Sequence, residues 1–401
     1  MPRPRKLAVS LACVALVLAA GEVCARLVLG ERFGAGVLTD LPMNVCVVPD
    51  AELGWAGRPD MDAWCVGPSF AIPAFEYRVR TGSDGFRSAD PGDGDLPLVL
   101  VLGDSIAWGW GVRQDETFAA RLRATFAGRA RVQCLGVPGY ATDQQLLLLE
   151  RVAEDKRPDL VLLSYALNDA EGNGATEQYG LPKPALARRG GDFELVNYPV
   201  AASWPDDWDP SASSWRTRLR AHSALLQLVR PLRFTRSRTA PEALTGADHE
   251  QLIEYARNLE CDTYSAAEAH HLAGEVGNPD SVTFELLRRI KSVCDAAGAE
   301  LIAFSVPHHH DQFLLVPRLV PSTTAAAALR GEGRFRTRLS DQLARAAAAL
   351  GFDAVDVDHE LLELSQVERV NLNAGDGHIN AEGHRIVAEA LSRVVAERLA
   401  R

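Results

Sequence analysis

Three separated stretches of this chain carry groups that together could cleave an acyl bond. Ser105 closes the run Val99-Leu100-Val101-Leu102-Gly103-Asp104-Ser105, Asn168-Asp169 follows a second apolar run, and Asp376-Gly377-His378-Ile379-Asn380 lies near the other end. A serine hydroxyl is a poor nucleophile until a neighbouring base removes its proton. An imidazole titrates near neutrality, so His378 could take that proton and return it to a leaving alcohol. Asp376, two residues earlier, would fix the ring's tautomer and stabilise the imidazolium; in an extended loop residues two apart point to the same side. Gly-Asp-Ser alone is also an ordinary turn. The convergence of three segments is what lifts it above one.

These groups need a scaffold, and the apolar pattern supplies one. From Leu98 short apolar strands alternate with helices, the pattern of a parallel sheet covered on both faces. The strands expected are Leu98 to Leu102, Arg131 to Leu135, Leu160 to Ser164, Leu301 to Val306 and Ala354 to Val357. Ser105 then sits at the carboxyl end of the first strand, where open α/β sheets carry their chemistry. Phe118, Leu122 and Phe126 share one helical face; Phe284, Leu287 and Ile290 share another behind a Ser281 cap; a last helix follows Asn380 with Ile386, Val387, Leu391, Val394 and Val395 inward.

Three regions follow from this reading: 1–29 as a signal-anchor helix, 30–95 as an irregular leader, and 96–401 as the catalytic domain with an insertion at about 170–280. The leader is rich in Pro and Gly and holds one alternating strand, Phe75 to Arg80, before the turn Gly82-Ser83-Asp84-Gly85. The insertion carries Trp204, Trp208 and Trp215 and helical patterns around Leu219 to Val229 and His249 to Leu272. Emerging beside the strand ends, it could cover a pocket and set substrate choice. Its tryptophans equally fit a small core of its own.

The amino end has its own character. Arg3, Arg5 and Lys6 precede the uncharged run Leu7 to Gly21, and apolar residues resume from Val23 to Leu29 around Glu22 and Arg26. Fifteen helical residues rise about 22 Å against a ~30 Å hydrocarbon core, which fits a cleaved signal peptide with Val23-Cys24-Ala25 at the cut. A Glu22–Arg26 pair one turn apart would instead let the whole run act as an uncleaved anchor, the reading favoured here. Either way the basic end stays in the cytoplasm and the body lies outside it, on the membrane or secreted or periplasmic.

With 401 residues, 47% of them hydrophobic, the chain can bury a large core, and its net charge of -11 gives no footprint for nucleic acid. Of seven cysteines, Cys13 and Cys24 lie in the amino-terminal segment. Cys46 with Cys65 and Cys261 with Cys294 are the first pairings to try in an oxidising compartment, with Cys134 left as a buried thiol. No Cys-x-x-Cys and no Gly-x-Gly-x-x-Gly after a strand occur, so no zinc ribbon and no dinucleotide site is expected. Three consecutive side chains in His308-His309-His310-Asp311 cannot all face one ion; no metal and no cofactor is expected. His270-His271 and His384 read as surface and packing residues.

Taken together, the motifs resemble the SGNH or GDSL hydrolase superfamily of esterases, lipases and glycan deacylases, over about Leu98 to Ala390 without the insertion. Its four blocks stand in order as Gly103-Asp104-Ser105, Gly136-Val137-Pro138-Gly139, Asn168-Asp169 and Asp376-Gly377-His378. The resemblance implies a flavodoxin-like three-layer α/β sandwich with a five-stranded parallel sheet of order 2-1-3-4-5, here with a helical insertion. It also implies an oxyanion hole made by the N–H groups of Ser105 and Gly139 and the side-chain amide of Asn168. Gly54-Trp55 and Asp84-Gly85-Phe86-Arg87 look like the leader of membrane-anchored bacterial members. Three departures stand out: the triad acid usually lies three residues before the His, where Gly375 stands; Cys134 stands near a usual Asn; and Ala166-Leu167 replaces a Gly before Asn-Asp. Asp104 and Asp169 read as loop braces. The α/β-hydrolase elbow Gly-x-Ser-x-Gly is absent, since Ala107 fills its last position.

The expectation is therefore a serine-dependent hydrolase that removes an O-acyl group from a carbohydrate or lipid ester. An O-acyltransferase acting on an extracytoplasmic polysaccharide and a non-catalytic glycan-binding module are the alternatives.

Overall fold

A computed structural model describes residues 4–29, 37–39, 43–66, 76–87, 94–201, 223, 225, 272, 274–306, 336–357, 371–373 and 376–400. It opens with a long helix, α1 (Pro4–Leu29), then β1 (Val37–Thr39), α2 (Met43–Cys46), the hairpin β2 (Val47–Asp50) and β3 (Gly54–Gly57), β4 (Asp62–Val66) and β5 (Glu76–Arg80). Strands β1, β4 and β5 form a small sheet in that order.

From Leu98 strands and helices alternate. Strand β6 (Leu98–Leu102) leads into α3 (Ser105–Trp108), α4 (Phe118–Thr125), β7 (Arg131–Cys134), α5 (Thr142–Lys156), β8 (Leu160–Tyr165) and α6 (Leu167–Gly172). The hairpins β9 (Glu177–Gln178) with β10 (Leu181–Pro182) and β11 (Ala185–Arg189) with β12 (Asp192–Val196) follow. The chain then gives α7 (Val282–Ala297), β13 (Glu300–Ser305), α8 (Arg336–Leu350), β14 (Asp353–Val355), the pair β15 (Asn371–Asn373) and β16 (Asp376–Ile379), and α9 (Ala381–Leu399). Strands β7-β6-β8-β13-β14 lie side by side in one sheet, all parallel, which is 2-1-3-4-5 counted along this sheet alone.

This sheet is apolar on both faces because both are covered. Leu98, Leu100 and Leu102 point into one core with Val161, Leu163, α5 and α7, while Val99 and Val101 point into the other with Phe118, Phe304, Ile386 and Leu391. Each fully buried side chain of this size contributes roughly 1.5–3 kcal/mol relative to exposure. Caps fix where the covering helices start. Ser281 Oγ accepts from Phe284 N–H at 3.0 Å, and Asn380 Oδ1 accepts from Glu382 and Gly383 N–H, both at 3.0 Å.

The leader is less detached than its composition suggests. Trp55, Tyr77, Cys65 and Val79 are buried in the first of the two cores, so residues 46–66 and 76–79 form part of the layer that covers the sheet.

Two expectations need correction. Among the described residues no helix is long and apolar enough to cross a membrane. The expected helix is present as α1, and Glu22 bonds Arg26 one turn on at 2.9 Å as expected, but Glu22 also accepts from Ser223 Oγ at 2.9 Å and Leu225 N–H at 3.1 Å, and the uncharged run ahead of it covers only Leu7 to Gly21. The insertion starts with two hairpins, and Gly190-Gly191, with φ of 59° and 105°, turns the chain between β11 and β12 as two-residue hairpins require; the helical patterns around Leu219 to Val229 and His249 to Leu272 lie almost wholly outside the described residues. Second, Cys46, Cys65 and Cys294 are unlinked buried thiols, and the Cys46 and Cys65 sulfurs are held in apolar packing that pushes both pKa values up, that of Cys65 to about 12. Trp204, Trp208, Trp215, Cys261, His270, His271 and His308 to Asp311 lie outside the described residues. Among the described residues no group of three or more His, Cys, Asp or Glu could hold a metal ion.

Candidate active site

The structure brings the early hydroxyl to the late imidazole. His378 Nε2 lies 2.8 Å from Ser105 Oγ, across 273 residues of sequence. Ser105 begins α3 directly beyond β6, and the tight passage is possible because Gly103 has no side chain: a Cβ there would lie 2.7 Å from Ala107 Cβ and 2.8 Å from Ser164 Cβ. Asp104 caps α3, its Oδ1 accepting from Ile106 N–H at 2.9 Å. His378 lies on β16, immediately before the Asn380 cap of α9. Asp376 opens the same strand, two residues away; its side chain lies outside the described part.

The imidazole has an aromatic backing. The Trp110 ring stacks on His378 with centroids 5.6 Å apart and planes 24° apart, and Trp110 packs in turn on Trp108 at 5.7 Å. Trp110 N–H donates to Ser105 O at 3.0 Å, so one turn of backbone holds the nucleophile and the ring behind its base.

Asn168 stands on α6, beyond β8, and donates from Nδ2 to Asp104 Oδ2 at 2.9 Å. That bond ties the first and third motifs together and fixes the plane of the amide. Beneath it Asp169 is fully buried: Oδ2 accepts from Ala166 N–H at 2.8 Å, and Oδ1 accepts from Gln145 Nε2 at 2.7 Å and Thr142 Oγ1 at 3.2 Å. Burial, and then the nearby Asp104, push its carboxyl well above the usual range despite those donors. Deeper still, Lys183 Nζ donates to Asp143 at 2.6 and 2.7 Å in a pair with no solvent access. Desolvation pushes the Asp143 pKa up and the Lys183 pKa down.

The Gly136 to Gly139 loop completes the group. A Cβ on Gly136 would stand 2.6 Å from Trp108 N, so only glycine lets this loop lie against α3. The leader holds the loop from outside: Trp55 Nε1 donates to Pro138 O at 3.1 Å, and Tyr140 Oη donates to Trp55 O at 2.7 Å. Arg87 holds the other side. Its fully desolvated guanidinium, whose pKa burial pulls down, donates to the carbonyls of Trp108, Gly109 and Val112 and lies 5.0 Å from the Trp108 ring centroid. His384 is a packing residue: buried, stacked on Phe118, its Nδ1 accepting from Phe118 N–H at 3.2 Å, with burial pushing its pKa down to about 3.

A hydroxyl hydrogen-bonded to an imidazole, with an uncharged amide donor fixed nearby, is the equipment of acyl transfer from an ester. The model of the GDSL-like lipase/acylhydrolase family matches residues 101–386. The chain belongs to that family. It is accordingly an ester-hydrolysing enzyme. No curated protein matches the sequence. Solved structures similar to it include an extracellular lipase from Streptomyces rimosus, 13% identical, covering 73% of this chain and 99% of its own, with a TM-score of 0.38. An esterase, EstA from Pseudoalteromonas sp., is 9% identical over 76% of this chain and 99% of its own, with a TM-score of 0.36.

Within this acylhydrolase, Ser105, His378 and Asn168 fall in one neighbourhood, and Gly139 lies on the loop packed beside them. One residue at the site escaped the sequence reading. Trp110 carries a weak signal, an aromatic between Gly109 and Gly111 just past the nucleophile motif.

Proposed function

We propose that the protein is a serine-dependent hydrolase of O-acyl esters of carbohydrates or lipids, working through an acyl-enzyme. The 2.8 Å bond between His378 Nε2 and Ser105 Oγ is the observation that carries this reading. As Ser105 Oγ attacks the ester carbonyl carbon, its proton passes to His378 Nε2. The charge that collects on the carbonyl oxygen meets the N–H groups of Ser105 and Gly139 and the Asn168 amide. Collapse breaks the carbon–oxygen bond to the alcohol, which leaves with the proton from His378, and the acyl group stays on Ser105. Water, deprotonated by the same imidazole, then releases the acid and restores the hydroxyl. Asp376 has the role of orienting the imidazole, and Trp110 limits its tilt from the other face.

The protein acts outside the cytoplasm in this proposal. The support is the charge order at its start, Arg3, Arg5 and Lys6 ahead of Leu7 to Gly21, and the exposure of Val14, Leu16, Val17 and Leu18 on α1. Separation of expressing cells should leave the full-length chain in the membrane fraction, or a shortened chain outside the cytoplasm if the segment is cut. Recovery of the uncut chain in the cytoplasmic fraction would remove this part of the proposal.

The chemistry is tested by labelling with a fluorophosphonate, followed by peptide mass analysis. The expected outcome is one adduct on Ser105, absent in Ser105→Ala, together with hydrolysis of short nitrophenyl esters. A wild-type chain that takes up no label would mark a binding module. Acyl groups appearing on an added glycan faster than free acid would mark a transferase.

A further inference from the structure

The helix that carries Asn168 is only six residues long, too short to hold its own place. The first turn of α5 holds it at both ends. Near the start of α6, Asp169 Oδ1 accepts from Gln145 Nε2 at 2.7 Å and from Thr142 Oγ1 at 3.2 Å. Just past its end, Thr142 N–H donates to Asn173 Oδ1 at 2.9 Å, and Gly174 N–H donates to Asp143 Oδ2 at 3.2 Å. The same turn of α5 follows closely on the Gly136 to Gly139 loop. One helical turn thus joins the two segments expected to offer donors to a carbonyl oxygen.

That turn has an anchor of its own. Lys183, between β10 and β11, donates from Nζ to both carboxylate oxygens of Asp143, at 2.6 and 2.7 Å, and to Pro184 O at 3.1 Å. Its backbone is pinned as well: Lys183 N–H donates to Thr176 O at 2.9 Å, and Asn197 Nδ2 donates to Lys183 O at 2.7 Å. A buried ion pair is an expensive route to stability, because taking both charges out of water offsets most of what their attraction returns. Its better use is to select one arrangement. With both oxygens gripped, the Asp143 carboxylate cannot turn, and Oδ2 stays aimed at Gly174 N–H.

We infer that Asp143, clamped by Lys183, and Gln145 are positioning residues that set where the Asn168 amide stands against an ester's carbonyl oxygen. The inference rests on the hydrolase reading above and deepens it. These side chains act through Asn168, by keeping α6 in place. A displacement of about 1 Å in such a donor costs on the order of a hundred-fold in rate. The effect falls on kcat rather than KM, because the amide meets the full negative charge only in the transition state.

The test uses two double variants that remove both buried charges together, so that neither is left unpaired. Asp143→Asn with Lys183→Met keeps a carbonyl oxygen for Gly174 N–H; Asp143→Ala with Lys183→Met does not. KM and kcat are measured on a short nitrophenyl ester, with phosphonate labelling of Ser105 in parallel and the thermal midpoint confirming that each variant folds. Every measurement is repeated in an Asn168→Ala background. The double variant with Ala should lower kcat by about ten- to a hundred-fold, with KM within about three-fold of wild type. The one with Asn should recover most of that loss. In the Asn168→Ala background the two should turn over alike, since no amide remains to be misplaced. An equal loss in that background would overturn the positioning role, as would a rise in KM at constant kcat, or unchanged kinetics in a wild type that labels. If the variant with Ala does not fold, Gln145→Leu decides: kcat should fall about ten-fold where Asn168 is present and stay level where it is not. An equal fall in both backgrounds, or none in either, overturns the inference. A wild type that neither labels nor turns over overturns the hydrolase reading itself, and the positioning role with it.

Discussion

Replacing His378 by Ala should lower kcat for ester hydrolysis by about 10⁴- to 10⁶-fold, the loss seen when the base of a serine nucleophile is deleted. Among the described residues the Ser105 hydroxyl has one side-chain partner, the imidazole Nε2 at 2.8 Å. Without it the proton must go to water, and the leaving alcohol has no acid. The variant should fold, because His378 is only half-buried and Trp110, which stacks on it, keeps Trp108 as a second neighbour. Phosphonate labelling of Ser105 should slow in proportion while the thermal midpoint moves little. A loss smaller than ten-fold with the fold intact would mean that another group activates the serine.

The second large effect is on stability. Arg87→Met should destabilise the protein by about 3–6 kcal/mol, since it strips donors from three buried carbonyls, each costing roughly 1–3 kcal/mol when left unpaired. Two effects compete here. Removing a desolvated guanidinium recovers part of its burial cost, but that cost is already offset by the carbonyls of Trp108, Gly109 and Val112 and by the Tyr77 and Trp108 rings. Arg87→Lys should rescue little, because a single ammonium on a flexible stem cannot span acceptors that a planar fork reaches together. Those carbonyls belong to the turn that carries Trp110, so kcat should fall along with the midpoint of urea unfolding. A midpoint shift worth less than 1 kcal/mol would show that the carbonyls find other donors.

How much of this was legible in the sequence differs by element. The strands of the main sheet were readable because each is a short apolar run buried on both faces; β6 occupies the residues expected, Leu98 to Leu102. Ser281 and Asn380 announced the starts of α7 and α9 by residue type alone. Ser105 and His378 were legible because few other residues could do their chemistry in those surroundings. Trp110 and Arg87 were not, since what makes each matter is a neighbour beyond the reach of local periodicity. Trp110 acts on an imidazole 268 positions further along, and sequence periodicity contains no such relation. The hairpins of residues 177–196 went unread, since their strands are too short and too polar to signal by alternation.

The span of 273 positions between hydroxyl and imidazole also sets a clock. Ribosomes add roughly 5–20 residues per second, so the serine emerges something like 15–55 s before its partner exists. During that interval the nascent chain carries an inert alcohol. On the mechanism proposed above, the base that would take the serine's proton arrives only when β16 has been made, so nucleophile and imidazole meet in one of the last steps of synthesis.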